Sequence, residues 1–149
     1  MSRFYDVVEK SWPVLNRLMG GHAAIYRATR GVVGHKIPGI GSHLLLEHVG
    51  AKSGKQRTSP LLYGRDGESY VIVASKGGNP KNPGWYHNLR ANPETEIQVG
   101  SERIPIRARV TEGEERDRLF EMMTGIWSDY ATYQGRTDRK IPVVVLEPR

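Results

Sequence analysis

The sequence predicts a mainly β protein with peripheral helices (α+β), in which about six mostly antiparallel strands close into a barrel. Three observations lead to this expectation. Six short segments show the alternation or the apolar runs that are typical of strands. Asp66-Gly67 stands between two of them, and this dipeptide is typical of tight hairpins. Few helical segments separate the strands, whereas a parallel sheet needs a crossover between each pair.

The N-terminal part of the chain carries helical signals. Ser11 is a suitable N-cap with Pro13 in the first turn, and apolar residues follow at helical spacing. Gly20-Gly21 is expected to break this helix, and residues 22–29 to form a second short one. The glycine-rich segment 31–41 is expected to be an irregular crossing segment.

Strand signals dominate from Ser42 onward. The expected strands are residues 43–49, 58–64, 69–75, 94–99, 102–110 and 141–147. Pro60 within the second strand predicts an edge, a bulge, or a neighbour other than a strand. Residues 94–99 and 102–110 are expected to pair as a hairpin. Residues 112–127 form the remaining helix, whose apolar side consists of Leu119, Phe120, Met122 and Met123.

Composition limits the possible functions. The 149 residues fit one domain, 1–149, whose residues 1–30 are expected to form a helical segment. The chain has no cysteine, which excludes disulfides and thiolate chemistry and is compatible with the cytoplasm. The sequence shows no secretory leader and no apolar run of the ~18 residues that a membrane span needs. The histidines lack metal-ligand spacing, and His43 and His48 are expected to face opposite sides of their strand.

The positive charge is concentrated in the first part of the chain. Residues 1–57 hold nine Lys/Arg and three Asp/Glu, whereas residues 58–149 hold thirteen of each. This asymmetry predicts an anionic partner: nucleic acid, an acidic membrane surface or a phosphorylated small molecule. No motif of a hydrolase is present. The sequence offers few intrinsic redox or acid–base groups, so difficult chemistry would have to come from a cofactor.

The segment GAKSGKQRTSPL, residues 50–61, is the first candidate site. Lys52, Lys55 and Arg57 surround Ser53 and a glycine with no acid among them, as binding of an anion requires. A solvated hairpin turn explains the same composition equally well. The uneven charge favours the anion site.

A second candidate is ASKGGNPKNPGWYHNLRANPE, residues 74–94. Asn82 is expected to cap a short helix with Pro83 at its first position, and the helix is expected to end near Asn92. Its N-terminus can present N–H groups to an anion or a ring carbonyl. Without other evidence, Trp85 and Leu89 are better explained as core residues.

Trp127, Tyr130 and Tyr133, spaced by three, form the third candidate. Such spacing usually reflects packing, but the polar residues that follow are compatible with an aromatic wall over a cavity. Tyrosine can stack on a flat substrate and can donate a proton.

The segments GAKSGKQRTSPLLY, VIVASKGGNPKNPGWYHNLRANPE and RTDRKIPVVVLEPR resemble the deazaflavin-dependent nitroreductase family, found in actinobacteria. This family is a branch of the split β-barrel flavin/deazaflavin oxidoreductases, and the resemblance covers roughly residue 25 to the C-terminus. It implies a split β-barrel and hydride transfer from reduced coenzyme F420, an 8-hydroxy-5-deazaflavin, to a quinone or nitroaromatic.

The resemblance also implies the site. The cofactor-binding residues it indicates are Ala51, Lys52, Ser53, Lys55, Arg57, Thr58, Ser59, Pro60, Leu61, Leu62, Val73, Ala74, Ser75, Lys76, Gly84, Trp85, Tyr86, His87 and Asn88. It places the acceptor against Trp127, Tyr130 and Tyr133, with Ser75, Tyr130 or Tyr133 as catalytic groups and no metal. The family commonly has tyrosine at the first aromatic position, so Trp127 is a departure that leaves the acceptor range open.

Two other functions remain possible at this stage. The same barrel binds FMN in sister branches, and the basic N-terminal third also suits a non-enzymatic anion-binding module. No nucleic-acid-binding motif is present, so nucleic acid is not an expected partner. The helix with Trp12 and Leu15 is compatible with a membrane surface, a lid or a dimer contact. Localisation in the cytoplasm, with or without contact to the inner face of the membrane, is the expectation.

Overall fold

The computed structural model describes residues 19–31, 34–37 and 41–149. The elements in chain order are α1 (helical over 19–28), β1 (Lys36–Ile37), β2 (Gly41–Val49), β3 (Gln56–Leu62), β4 (Gly64–Asp66), β5 (Ser69–Val73), α2 (Gly84–Ala91), β6 (Glu94–Val99), β7 (Glu102–Val110), α3 (Gly113–Ile126), α4 (Asp129–Gly135) and β8 (Val143–Pro148). A 3₁₀ turn, Lys76–Gly78, follows β5. The predicted cap at Ser11, Pro13 and the helix segment with Trp12 and Leu15 lie outside the described residues.

The strands form one antiparallel sheet that curls on itself. Its order is β1–β2–β6–β7–β8–β5–β4, and β3 also pairs with β2. β3 and β4 therefore lie toward opposite ends of the hydrogen-bonded path, although only Tyr63 separates them in the chain. The two ends of the sheet must come together at Tyr63 without a ladder between them. This arrangement is a split barrel, and the predicted α+β fold is confirmed.

Two details of the strand prediction are wrong. There are eight strands among the described residues instead of about six. Lys36–Ile37 pairs with the start of β2 inside the segment expected to be irregular, and the predicted strand 58–64 is divided at Tyr63. The hairpin predicted from Asp66-Gly67 is confirmed, but Asp66 pairs with Ser69, so the two turn residues are Gly67 and Glu68.

The predicted break at Gly20-Gly21 is also wrong, because both glycines lie within α1. A glycine costs a helix only ~1 kcal/mol relative to alanine, and tertiary packing can offset that cost. Ala23 and the fully buried Tyr26 pack on Leu45 of β2. The Tyr26 hydroxyl also accepts a hydrogen bond from Gly100 N at 2.7 Å and lies 3.0 Å from His43 O, to which it donates.

The two faces of the sheet bury two separate cores, as the twofold periodicity of strands requires. The barrel interior contains Leu44, Leu46, Tyr70, Ile72, Trp85, Tyr86, Leu89, Ile97, Ile106, Val144 and Leu146. The opposite face of β5 and β8 packs against α3 and α4 through Val71, Val73, Leu119, Met123, Tyr130, Ile141, Val143 and Val145. The predicted apolar side of α3 is confirmed, with Phe120 and Met122 half-buried beside Leu119 and Met123. No helix in the described ranges is both long and apolar enough to cross a membrane.

Candidate functional site

A cavity of about 980 Å³ lies at the split of the barrel. β3 forms one wall, and the other walls come from the end of β5 with the following loop, the turn after β2, and the N-terminal half of α2. The lining residues are Met19, Gly20, His43, His48, Gly50, Ala51, Lys52, Ser53, Arg57, Thr58, Ser59, Pro60, Leu61, Leu62, Val73, Ser75, Lys76, Pro83, Gly84, Trp85, His87, Asn88 and Tyr130. Its volume is at the upper end of the range for small-molecule sites, about 300–1,000 Å³.

β3 borders the cavity through its free edge. Every residue from 57 to 62 lines it, so residues of both strand faces take part. The Tyr63 N–H donates to Ser42 O, and the groups that point to β2 alternate along an antiparallel ladder. The backbone groups of Thr58, Pro60 and Leu62 therefore point away from β2, to the edge that no described strand covers. Pro60 lacks an N–H where a neighbouring strand would need one, which fits the predicted non-strand neighbour.

The turn after β2 brings positive charge to the cavity. Gly50 N donates to Lys55 O and Gly54 N to Gly50 O, both at 2.9 Å, which folds the turn back on itself. Lys52 and Arg57 border the cavity, whereas Lys55 does not. No Asp or Glu is among the described residues that line it. This end of the cavity is therefore suited to a negatively charged group.

The loop after β5 is held by Arg139. Its guanidinium donates to the carbonyl oxygens of Asn79, Ala74 and Ser75 at 2.7, 3.2 and 2.7 Å. It also donates to Asn82 Oδ1 at 2.8 Å. Arg139 is half-buried, and one side chain thereby links the end of β5 to the residue before α2. We call these five residues the Arg139 clamp.

Two backbone features set the shape of this loop. Lys76 adopts φ +45, a left-handed conformation that is uncommon for a residue with a Cβ. Gly78, at φ +80, lies so close to α4 that a Cβ there would stand 2.5 Å from the carbonyl oxygen of Tyr133. Glycine at 78 thus permits α4 to pack directly on the loop. Ser75 and Lys76 both border the cavity.

The second predicted helix is present, with a different start. Pro83 occupies the N-cap position of α2, and Asn82 makes no capping bond because its side chain accepts from Arg139. The predicted end near Asn92 is confirmed. Trp85 borders the cavity and also belongs to the core. Tyr86 lies in the core only, so the structure does not bring it to the cavity.

The buried His48 joins the site, although its spacing gave no such signal. Asn88 Nδ2 and Ser59 Oγ each lie 2.9 Å from one of its ring nitrogens. Burial lowers the pKa of His48 to about 4, and the positive charge of Arg57 acts in the same direction. Asn88 and Ser59 are 40 and 11 residues away from His48 in the chain.

His43 lies on the opposite face of β2, in ring contact with His22 of α1 at 5.4 Å. His43 and His48 nevertheless both border the cavity, which extends to Met19 and Gly20. Burial lowers the pKa of His43 as well. The described residues contain no group of His, Asp or Glu that could hold a metal ion.

The three predicted aromatic residues do not share a position. Tyr130 borders the cavity, and burial raises its pKa, so the phenol keeps its proton. Tyr133 touches the Tyr130 ring edge-on at 6.2 Å but does not border the cavity, and neither does Trp127. Among all predicted site residues, those that do not line the cavity are Lys55, Ala74, Tyr86, Trp127 and Tyr133.

Comparison with known proteins gives a consistent result. Residues 18–148 match the family described as F420H(2)-dependent quinone reductase. The chain is 49% identical over 136 residues to the F420H(2)-dependent quinone reductase of Mycobacterium tuberculosis, covering 89% of this chain and 91% of that protein.

Two solved structures are also similar. A structure of an F420-H2-dependent reductase is 44% identical, covers 70% of this chain and 93% of its own, and superposes with a TM-score of 0.66. A chain described as a domain-swapped dimer is 38% identical, covers 91% of this chain and 99% of its own, and has a TM-score of 0.69.

Proposed function

The chain belongs to the F420H(2)-dependent quinone reductase family, and on this premise we propose that it transfers a hydride from reduced coenzyme F420 to a quinone. The observation that carries the proposal is the cavity at the split of the barrel. It combines a strand edge that no described strand covers with a cationic turn, and no Asp or Glu is among the described residues that line it. A phosphorylated, carboxylate-bearing heteroaromatic cofactor needs both features.

The residues of the cavity suit this cofactor in two zones. Lys52, Ser53 and Arg57 would hold its anionic tail, and Lys55 would act at longer range from the same turn. The ring would lie along Thr58 to Leu62, whose outward backbone groups can pair with ring carbonyl and N–H groups. The remaining contacts in this proposal are Val73, Ser75 and Lys76 on one side and Gly84, Trp85, His87 and Asn88 on the other.

When bound, reduced deazaflavin supplies a hydride from a ring carbon, so the chain itself needs no redox group. The chain's contribution is mainly placement, which brings reacting atoms to about 3–3.5 Å. Reduction of a quinone carbonyl also requires a proton. Of the tyrosines that the structure describes, Tyr130 lines the cavity, and because burial raises its pKa it holds that proton across the physiological range. Ser75 also lines the cavity and is a second donor in this proposal.

A matched pair of variants tests the acceptor side. Tyr130→Phe is expected to lower kcat by about tenfold or more while leaving cofactor affinity unchanged, because general acid catalysis contributes about 10²–10⁴-fold. Tyr133→Phe is expected to have a smaller effect, because Tyr133 does not border the cavity. Equal losses in both variants, or a loss of cofactor affinity with Tyr130→Phe, would contradict this assignment.

The acceptor range extends, in this proposal, to flat nitroaromatics, since quinones and nitroaromatics are both flat ring compounds that accept a hydride. The experiment is an anaerobic assay in which reduced F420, reduced FMN and NADPH are each offered with a small panel of quinones and nitroaromatics. The proposal predicts oxidation of reduced F420 by at least one quinone. Turnover with FMN alone would assign the chain to the FMN-dependent use of this barrel.

A further inference from the structure

The hydrogen bonds around His48 have a direction that the structure determines. Ala51 N lies 2.9 Å from Asn88 Oδ1, and a backbone N–H can only donate. The oxygen of the Asn88 amide is therefore committed to Ala51, and its NH₂ group faces Nδ1 of His48 at 2.9 Å. Nδ1 must then be the acceptor. A proton on Nδ1 would oppose the hydrogens of the Asn88 amide within a buried site.

The proton of the neutral imidazole consequently lies on Nε2. This nitrogen is 2.9 Å from Ser59 Oγ, so His48 donates and Ser59 accepts. The charged groups that face His48 are Arg57, which disfavours a second proton, and Glu47, which favours it. Burial is the largest of these effects, and together with Arg57 it outweighs Glu47 and lowers the pKa of His48 to about 4, in agreement with a neutral ring.

The Ser59 hydroxyl has one hydrogen left to donate. Among the described residues His48 is the partner of the Ser59 side chain, and Ser59 itself borders the cavity. We propose that His48 is a positioning residue that fixes the Ser59 hydroxyl as a hydrogen-bond donor to an oxygen atom of the ligand in the cavity. The identity of that ligand rests on the proposed function. For coenzyme F420 the oxygen belongs to a ring carbonyl, to the ribityl chain or to the phosphate.

The consequence is selectivity. A hydroxyl that is free to rotate accepts as readily as it donates, whereas a hydroxyl that already accepts from His48 offers its hydrogen. A ligand donor at this point could use only the second lone pair of Ser59 and would leave the hydroxyl hydrogen without a partner, and a ligand with an apolar edge would leave it without one as well. The Asn88–His48–Ser59 chain therefore selects ligands with an oxygen acceptor at this position.

The first test needs no cofactor. Nitrogen-15 NMR of the full chain, with His48 assigned by comparison with a His48→Gln spectrum, reports the tautomer directly. The expected result is a neutral ring protonated on Nε2 near pH 7. A ring protonated on Nδ1, or a charged ring at that pH, overturns the proposal whatever the chain binds.

The second test is a double-mutant cycle read out as the dissociation constant of oxidised F420. His48→Leu and Ser59→Ala are each expected to weaken binding by about tenfold, the value of one buried hydrogen bond. The double variant should be no weaker than Ser59→Ala, because His48 acts through Ser59. Losses that multiply, or a His48→Leu variant that binds normally, overturn the proposal.

A conservative variant separates this role from packing. The amide of His48→Gln can accept from Asn88 and donate to Ser59, so affinity should stay within about twofold of the original chain. His48→Gln binding as poorly as His48→Leu would indicate a packing role and overturn the proposal. Denaturant unfolding checks each variant. If His48→Leu does not fold, the NMR measurement of the tautomer and the affinity of the His48→Gln variant still test the proposal.

Three probes identify the oxygen and keep the two proposals distinguishable. Intact F420 is compared with its phosphate-free form, which retains the ring and the ribityl chain, and with FMN. A Ser59→Ala loss with both deazaflavins indicates a ring or ribityl oxygen, and a loss with intact F420 alone indicates the phosphate. A chain that binds FMN but not F420 refutes the proposed function, and the cycle is then decided with FMN. Binding that Ser59→Ala leaves unchanged for every bound probe overturns the inference.

Discussion

Replacing Arg139 by methionine tests the link between the loop after β5 and the rest of the site. The substitution keeps much of the side-chain length and removes every donor of the Arg139 clamp. Four hydrogen bonds are lost, three to backbone carbonyls and one to Asn82. Because Asn82 and the end of β5 share this one guanidinium, the loop and the start of α2 lose their common anchor.

The expected cost follows from these contacts. A hydrogen bond from a charged donor contributes about 1.5–3 kcal/mol, but Arg139 is half-buried and water can reach some of the released oxygens. Counting each bond at somewhat under 1 kcal/mol gives a loss of about 3 kcal/mol in the free energy of unfolding. For a chain of this size that corresponds to a fall in Tm of about 6–12 °C. Catalysis should suffer further, since displacing a site by ~1 Å can cost 10²-fold.

Urea unfolding and steady-state kinetics measure the two effects. Arg107→Met is the matched control, because Arg107 forms only an exposed ion pair with Glu94 at 3.0 Å. Exposed pairs contribute about 0–1 kcal/mol, so the control should unfold almost as the original chain does. Arg139→Lys should fall between the two, since one ammonium group cannot reproduce the planar fork. An Arg139→Met chain as stable and active as the Arg107→Met control would refute the clamp.

Three further predictions concern the loop, the turn and His48. Gly78→Ala should lower the free energy of unfolding by more than about 2 kcal/mol, because the new Cβ would meet the backbone of α4. Gly77 also has a positive φ but lies in open space, so Gly77→Ala should cost about 1 kcal/mol. Urea unfolding measures both costs. Equal costs would argue against the close approach. Lys52→Ala should weaken F420 binding more than Lys55→Ala, with the difference shrinking as salt is added, because only Lys52 borders the cavity. Equal or salt-independent losses in a binding titration would contradict it. In the folded chain the pKa of His48 is about 4, below its value in the unfolded chain. Between these two pKa values the unfolded chain binds one more proton. The free energy of unfolding should therefore fall by about 3 kcal/mol as the pH is lowered from 6.5 to 4. The His48→Gln variant should lack this contribution to the pH dependence. If the free energies of unfolding of the two chains changed in parallel from pH 6.5 to 4, the contribution of His48 would be excluded.

The sequence predicts most of the strands because their signals are local. Alternation within residues 94–99 and 102–110, the Asp66-Gly67 dipeptide and the apolar run at the C-terminus each depend on near neighbours. The sequence also predicts the unusual surroundings of Pro60, since a residue without an N–H is compatible with few positions in a sheet. These features were sufficient for the barrel and for one wall of the cavity.

The features that sequence reasoning missed depend on contacts between distant residues. Asparagine is a common N-cap residue, but the side chain of Asn82 accepts a hydrogen bond from Arg139, 57 residues later in the chain. His48 has no nearby partner of a recognisable motif, and its role depends on Asn88, 40 residues away. Trp85 and Tyr86 are adjacent in the chain and both belong to the core. Only the direction of α2 relative to the barrel decides that Trp85 also borders the cavity and that Tyr86 does not.

The central claim is that this cavity holds reduced F420 while its hydride passes to a quinone. The most direct measurement is an anaerobic single-turnover experiment with saturating quinone, in which the transferable hydrogen of the reduced cofactor is either protium or deuterium. The protium form should be oxidised rapidly and the deuterium form clearly more slowly. Oxidation that fails without added FMN, or that proceeds at the same rate with both isotopes, would contradict it.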